Sequence, residues 1–273
     1  MKRTSLILLL AAFLMIFFIP LMAIADNFYV ETDGSDESDG SSSDPWKTIQ
    51  GAIDNAAVDR GDTIYIGSGT FTENVDVTKA VRIYGNQSVN PEILAADTGD
   101  DIFTILSDDA EIRYLIINGQ DAVDIFGVYV GSNFDDFSIS YCELNNNKYG
   151  VYLTDADDAD ITNNEFSNNN KGLYLSAADG SNIKYNDFED NTIGAYFLRS
   201  DIEDVASNDF EGGDYGIYLE SDDGYYDTTD VAQLESNNSF NEIDINNVEL
   251  GNGDDEEEND GILCFIGTLG LSF

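Results

Sequence analysis

The sequence predicts an all-β fold, a parallel β-helix wound at about 22 residues per coil, and three columns of residues carry that prediction. Glycine recurs at Gly127, Gly150, Gly172, Gly194 and Gly216, a first step of 23 residues followed by three of 22, and each glycine opens one phrase: GVYV, GVYL, GLYL, GAYF, GIYL. A second phrase follows the first four, as ISYCEL, ITNNEF, IKYNDF and VASNDF, which aligns Ile139, Ile161, Ile183 and Val205 in one column and Leu144, Phe166, Phe188 and Phe210 in another. A fixed period of this length marks units that bury their apolar faces only against one another.

The spacing inside one unit sets the kind of stack. In GVYL the apolar residues alternate with tyrosine, the period-two pattern of a strand with one face inside. The second phrase has an apolar residue, a polar pair often ending in Asn, and another apolar residue. That predicts two short strands joined by a tight turn, with Asn supplying the left-handed backbone. Three short strands per coil follow, and 126–219 forms the regular array.

Taken from the start, Lys2 and Arg3 precede an apolar run from Leu6 to Ile24 that ends Ala23-Ile24-Ala25. A basic start, an apolar middle and an A-x-A exit predict a signal peptide over 1–25, cleaved before Asp26, and hence a secreted or cell-surface protein. The alternative is a retained anchor, because the run nearly reaches the roughly 20 residues that a membrane span needs. Lys2 and Arg3 are two of 11 basic residues, and 54 acidic ones give a formal net charge of −43. Nucleic acid is thereby excluded as a partner. The chain has no His, and its three Met (Met1, Met15, Met22) all precede Asp26. The two cysteines, Cys142 and Cys264, make no disulfide framework, and Cys142 stands in the turn column of Asn164, Asn186 and Asn208, as a small buried thiol.

Residues 26–250 read as one elongated domain. FYVETDGSDESDG is a strand and an acidic loop, without the glycine and distal glutamate spacing of an EF-hand. A capping helix follows over 46–58, with Asp44 as N-cap, Pro45 in the first turn, and Trp46, Ile49, Ile53, Ala56 and Ala57 on one face. The end of a solenoid exposes core and unpaired backbone, so it needs such a plug. Strands with alternation at Ile64/Ile66, Val75/Val77 and Val81/Ile83 come next. The run FYV…DG…DG…PWKTIQ…GDTIYI..GTFTENV resembles the N-terminal cap and first coil of right-handed β-helix proteins of the pectin-lyase-like superfamily. The 22-residue units are similar to the repeats of NosD-like surface proteins. The resemblance covers residues 27–250 and implies a right-handed solenoid; it implies no single activity, since that superfamily mixes lyases, hydrolases, epimerases and proteins without known catalysis.

Beyond Leu219 an insertion spans Gly224 to Asp230, and LESNNSF and IDINNVEL continue the coil. Asn86 and Asn237 lie in glycosylation sequons. The tail 251–273 is an acidic run and then GILCFIGTLGLSF, whose 13 residues are too few to span a bilayer. It is either a C-terminal plug or the start of a truncated membrane anchor.

Three columns offer candidate chemistry. Tyr129, Tyr152, Tyr174, Tyr196 and Tyr218 alternate with inward residues and so point outward, about 4.8 Å apart. They would form a flat aromatic strip on which the apolar face of a polysaccharide or cell-surface glycan could lie. The resemblance places polysaccharide on the equivalent strand; β-propensity and self-stacking are the other explanation of the column. Asp135, Asp157, Asp179, Asp201 and Asp223 recur every 22 residues in the following turn, and Glu143, Glu165, Asp187 and Asp209 form a parallel ladder. Like charges at that spacing cost roughly 1 kcal/mol in bulk water and more near a protein surface. They imply either a halophilic setting or bridging calcium. The third column, Asn164, Asn186 and Asn208, is structural.

Enzyme readings are thin. Without His there is no Ser-His triad and no His-bound zinc. The superfamily resemblance implies, for its hydrolases, a Gly-His-Gly element that is missing here, and for its lyases calcium-bound carboxylates with an Arg or Lys base. Arg199, between the coils of Asp179, Asp201 and Asp223, is the one residue that fits the latter. Copper, which the resemblance to NosD-like proteins implies, is disfavoured: beyond residue 25 the chain has neither His nor Met, which leaves two unrelated cysteines as soft ligands. The leading expectation is an exported, non-catalytic structural or adhesion module that binds glycan; the alternative is a calcium-dependent polysaccharide lyase.

Overall fold

The computed structural model describes residues 25–120, 124–221 and 224–252. Among them, three parallel sheets of eight strands each wind into a right-handed β-helix. One coil shows the plan. Tyr149–Thr154 lies in what we term the tyrosine sheet, Asp160–Thr162 in the isoleucine sheet, and Glu165–Ser167 in the phenylalanine sheet. The next coil repeats them as Lys171–Ser176, Asn182–Lys184 and Asp187–Glu189. Register is residue for residue: Tyr152 pairs with Tyr174, Ile161 with Ile183, and Phe166 with Phe188. The predicted columns are therefore columns in space.

The core is one continuous apolar filling. Ile139, Ile161, Ile183 and Val205 come from one sheet, Leu144, Phe166, Phe188 and Phe210 from a second, and Val151/Leu153, Leu173/Leu175 and Ala195/Phe197 from the third; all are buried. The Phe166, Phe188, Phe210 and Phe240 rings stack in sequence at 4.6–5.1 Å between centroids. The same rings explain the glycine column. A methyl group on Gly172 would lie 2.6 Å from the Gly194 carbonyl oxygen and 2.8 Å from the Phe188 ring, so the glycine is demanded by a close approach.

The turn between the isoleucine and phenylalanine strands differs in one detail from expectation. The left-handed residue is the one before the asparagine column, at Tyr114, Tyr141, Asn163, Tyr185 and Ser207, with φ between 56° and 61°. The column asparagines instead point inward. Asn164 Nδ2 donates to Asn186 Oδ1 (3.1 Å), Asn186 to Asn208 (3.0 Å), and Asn208 to Asn238 (3.0 Å), while each oxygen also accepts the main-chain N–H one coil before it. Cys142 takes the column's place one coil earlier, buried and unpaired with any other cysteine among the described residues. Its burial pushes the thiol up to about 12.

Both ends carry a helix. The N-terminal one is shorter than the expected 46–58: it runs Ile49–Asp54, with Thr48 as N-cap. Trp46 is held out of it because its segment bridges Val30, with the ring stacked on Phe28 at 5.1 Å. Asp44 and Pro45 therefore lie in extended chain, and Ala56 and Ala57 are exposed in the following turn. Glu73 accepts the N–H groups of Ile49 and Gln50, and burial raises its carboxyl above the usual range. Ile49, Ala52 and Ile53 cover the end of the core. The insertion after Gly224 holds a second helix, Thr228–Asn237, absent from the sequence expectation. Its signal was present: Asp227 and Asp230 form a capping box. Among the described residues the last coil has strands Ser239–Asn241 and Asn246–Asn252 but no isoleucine-sheet strand, and this helix, with Leu234 buried, packs against the final isoleucine-sheet strand, Val205–Ala206. The final described strand ends at Asn252. Residues 1–24 of the expected signal peptide, the tail from 253, and Cys264 lie outside the described residues.

Candidate functional site

The tyrosine column is stacked as the repeat requires, yet it is not a flat strip. Tyr174 and Tyr196 face one another at 4.7 Å and 11°, and Tyr196 and Tyr218 at 5.2 Å and 1°, so their faces are turned along the solenoid axis and occupied. Tyr152 meets Tyr174 edge-on at 75°, and Tyr129 is tilted 39° to Tyr152. A second outward row, Phe126, Tyr149 and Lys171, leans over them. Tyr149 stacks on Tyr174, and the Lys171 ammonium sits 4.1 Å from the Tyr196 ring centre and 4.7 Å from that of Tyr174. Tyr174 and Tyr196 are left 5 % exposed. Outward direction was legible in the alternation; coverage by the neighbouring row was not. A sugar ring has no open face to lie on at the centre of this column.

The turn aspartates have a structural task. Asp135 Oδ1 accepts the N–H of Asp157 at 2.9 Å, Asp157 that of Asp179 at 2.8 Å, and Asp179 that of Asp201 at 3.1 Å. Each carboxylate closes a main-chain donor of the next coil, which explains its recurrence without any bound ion. Asp223 lies outside the described residues. Among the described residues no group of three Asp, Glu, Cys or His side chains is placed to hold a metal. Arg199 is exposed at the end of its strand, in the left-handed region at φ 50°.

The Glu143, Glu165, Asp187 and Asp209 ladder pairs in register on the phenylalanine sheet. Burial, and then the neighbouring carboxylates, hold Glu165 and Asp187 above the usual carboxyl range. This ladder borders a cleft of about 440 Å³ whose other wall is made by Tyr114, Tyr141 and Tyr185. Tyr141 is 48 % exposed and Tyr185 61 %. Tyr141 stacks on Tyr114 at 5.3 Å and 20°. These three tyrosines went unnoticed in the sequence, although IRYL, ISYC and IKYN place them in one column. A second buried amide ladder also went unnoticed: Asn147 donates to Asn169 at 3.0 Å and Asn169 to Asn191 at 2.9 Å, at the turn leading back to the tyrosine sheet.

A family model described as "Periplasmic copper-binding protein (NosD)" matches residues 53–249, most of the chain. The chain belongs to the NosD family. A pectate lyase, PEL9, from Emericella nidulans is 31% identical over 137 residues, which cover 49% of this chain and 31% of that enzyme. The chain thus spans about a third of this curated relative. Among solved structures, a pectin methylesterase in complex with a hexasaccharide matches at 14% identity and TM-score 0.44, over 72% of this chain and 80% of that one. A GH136 lacto-N-biosidase from Eubacterium ramulus matches at 11% identity and TM-score 0.45, over 83% and 68%. The copper of the family's description does not fit these residues. This NosD-family chain has no His, no Met after Met22, and in Cys142 a thiol that is fully enclosed and held protonated.

Proposed function

We propose that this NosD-family protein is an exported, non-catalytic β-helix that binds glycan, with a structural or adhesion role at the cell surface. The cleft beside the isoleucine–phenylalanine turn is the binding surface in this reading, in place of the tyrosine column. One observation carries it. The left-handed turn position suits Asn, yet it holds tyrosine at Tyr114, Tyr141 and Tyr185, where a bulky side chain costs on the order of 1 kcal/mol of backbone strain. Two of those rings, Tyr141 and Tyr185, are left about half or more exposed to solvent, although Tyr141 rests one face on Tyr114. Exposed aromatic faces beside acceptor-rich carboxylates suit the apolar face and hydroxyl edge of a sugar.

Export is supported by the fit of Asp26. Its main-chain nitrogen lies 2.8 Å from Oδ1 of Asp62, a carboxylate 3 % exposed. Cleavage before Asp26 would turn that amide into an ammonium facing a buried anion. An intact-mass measurement on the exported protein is expected to show Asp26 as its first residue.

The binding test is a glycan array probed with the exported protein. Tyr141→Ala and Tyr185→Ala are expected to lower binding at least tenfold, while Tyr174→Ala lowers thermal stability; undiminished binding in both cleft variants rules out this surface. The 31% identity to a pectate lyase supports a second reading, a calcium-dependent polysaccharide lyase with Arg199 as base. Unsaturated products from a polyuronate panel with calcium, lost in Arg199→Ala, would establish it in place of the first.

A further inference from the structure

We propose that the coil of Asn163 is a missing rung in an exposed aromatic ladder, and that the slot it leaves takes one neutral pyranose ring between Tyr141 and Tyr185. The inference rests on the glycan-binding reading and names both the position and the class of sugar.

The turn stacks coil upon coil. Tyr114 N–H donates to the Ser140 carbonyl at 3.4 Å, Tyr141 N–H to that of Asn163 at 3.0 Å, and Asn163 N–H to that of Lys184 at 3.2 Å. Tyr114, Tyr141, Asn163 and Tyr185 therefore follow one another along the axis, all with left-handed φ of 56–59°. Tyr141 rests one face on Tyr114 and so turns its other face toward the Asn163 coil. Tyr185 stands one coil farther on and is 61 % exposed. At about 4.8 Å per coil, Tyr141 and Tyr185 are roughly 9.6 Å apart, or two stacking distances. That is the width of one inserted ring.

The sides of the slot restrict what the ring can be. Asn163 forms the exposed floor, and Glu143, Glu165 and Asp187 line the flank on the adjoining strands. Ionised carboxylates only accept hydrogen bonds, and sugar hydroxyls donate. The formal net charge of −43 repels uronate and sulfated chains. A gap of two stacking distances between two exposed tyrosines suits one flat ring seated between them. A compact ammonium fits a cage of converging rings better.

The test is calorimetric titration of the exported protein with neutral gluco-, manno- and galacto-oligosaccharides. Asn163→Tyr restores the rung with a residue the same turn already carries at Tyr141 and Tyr185, so the variant is expected to fold. It should bind at least tenfold more weakly than the native protein, whereas Asn163→Ser, matching Ser207 in the equivalent turn, should bind as native. Affinity should stay constant from roughly 0.1 to 1 M NaCl, because no charge is exchanged. Equal binding by native protein and Asn163→Tyr overturns the slot while leaving the cleft as a glycan surface. Absence of binding by the native protein overturns both. Affinity that collapses with salt, or competition by tetramethylammonium, identifies a cation site and overturns the sugar assignment.

Discussion

A buried asparagine in this molecule serves four bonds at once, one of them the donation from Asn186 to Asn208. Asn186 accepts from the main-chain and side-chain nitrogens of Asn164 at 3.0 and 3.1 Å and donates to the Ile161 carbonyl at 2.8 Å. Asn186→Ala strands two donors and an acceptor in the core, and the expected loss is about 2–4 kcal/mol, measured by chemical denaturation. Cys142 is the informative exception in the column. Its N–H already donates to Asn164 Oδ1 at 3.1 Å, while its sulfur makes only long contacts to the carbonyls of Ser140 and Ile112. Cys142→Asn should extend the ladder by one rung and raise stability by about 1 kcal/mol; a destabilised variant would mean the pocket is too tight for the amide. The column itself was legible because identity recurs at fixed spacing. What each member does was less so: the turn aspartates read as charge and prove to be caps for main-chain N–H groups. The exposed tyrosines were masked because Asn163 and Ser207 interrupt their column.

At the scale of the strand, two columns that look independent in the sequence are partners. Four of the five column glycines lie against a phenylalanine of the neighbouring sheet, Gly150 against Phe166, Gly172 against Phe188, Gly194 against Phe210 and Gly216 against Phe240, whereas Gly127 meets Ile117. Gly172→Ala should cost about 1–3 kcal/mol through overpacking. Pairing it with Phe188→Leu should recover part of that loss, and strict additivity in the double-variant cycle would show that the two do not touch. Strands were readable from alternation because the core lies on one face of each. Helices were harder. The first was drawn too long because Trp46 fits a helical face in sequence, yet it is drawn into an extended bridge to Val30. The second was overlooked because its helix has a single fully buried contact, Leu234, and little apolar periodicity to announce it.

Across the whole molecule, like charges are aligned by the same register that aligns the core. Asp101 is raised to about 6, mainly by burial, and Glu165, Asp187 and Asp136 move in the same direction. A carboxyl that holds its proton more tightly folded than unfolded stabilises the fold most below its ordinary range, and that contribution fades as pH rises through the folded value. Melting temperature is therefore expected to fall between about pH 4 and pH 6, with a shallower fall in Asp101→Asn. Sodium chloride should raise it at neutral pH, since molar salt shortens the Debye length to about 3 Å. A further rise with calcium at equal ionic strength would support bridging of the ladders; equal curves would restrict the role of salt to screening.

The in-register pairing also has a consequence for how such a chain can change length. From Tyr149 to Glu220 the paired strand residues of successive coils stand 22 positions apart, and side-chain ladders keep the same step, as Asn164 to Asn186 and Asn186 to Asn208. Excising residues 165–186 would therefore join Asn164 directly to Asp187, and each amide, carboxylate and ring would find an equivalent neighbour waiting. The protein can be shortened by whole turns as a ruler is cut at its marks, whereas removing half that number would misplace every contact beyond the cut.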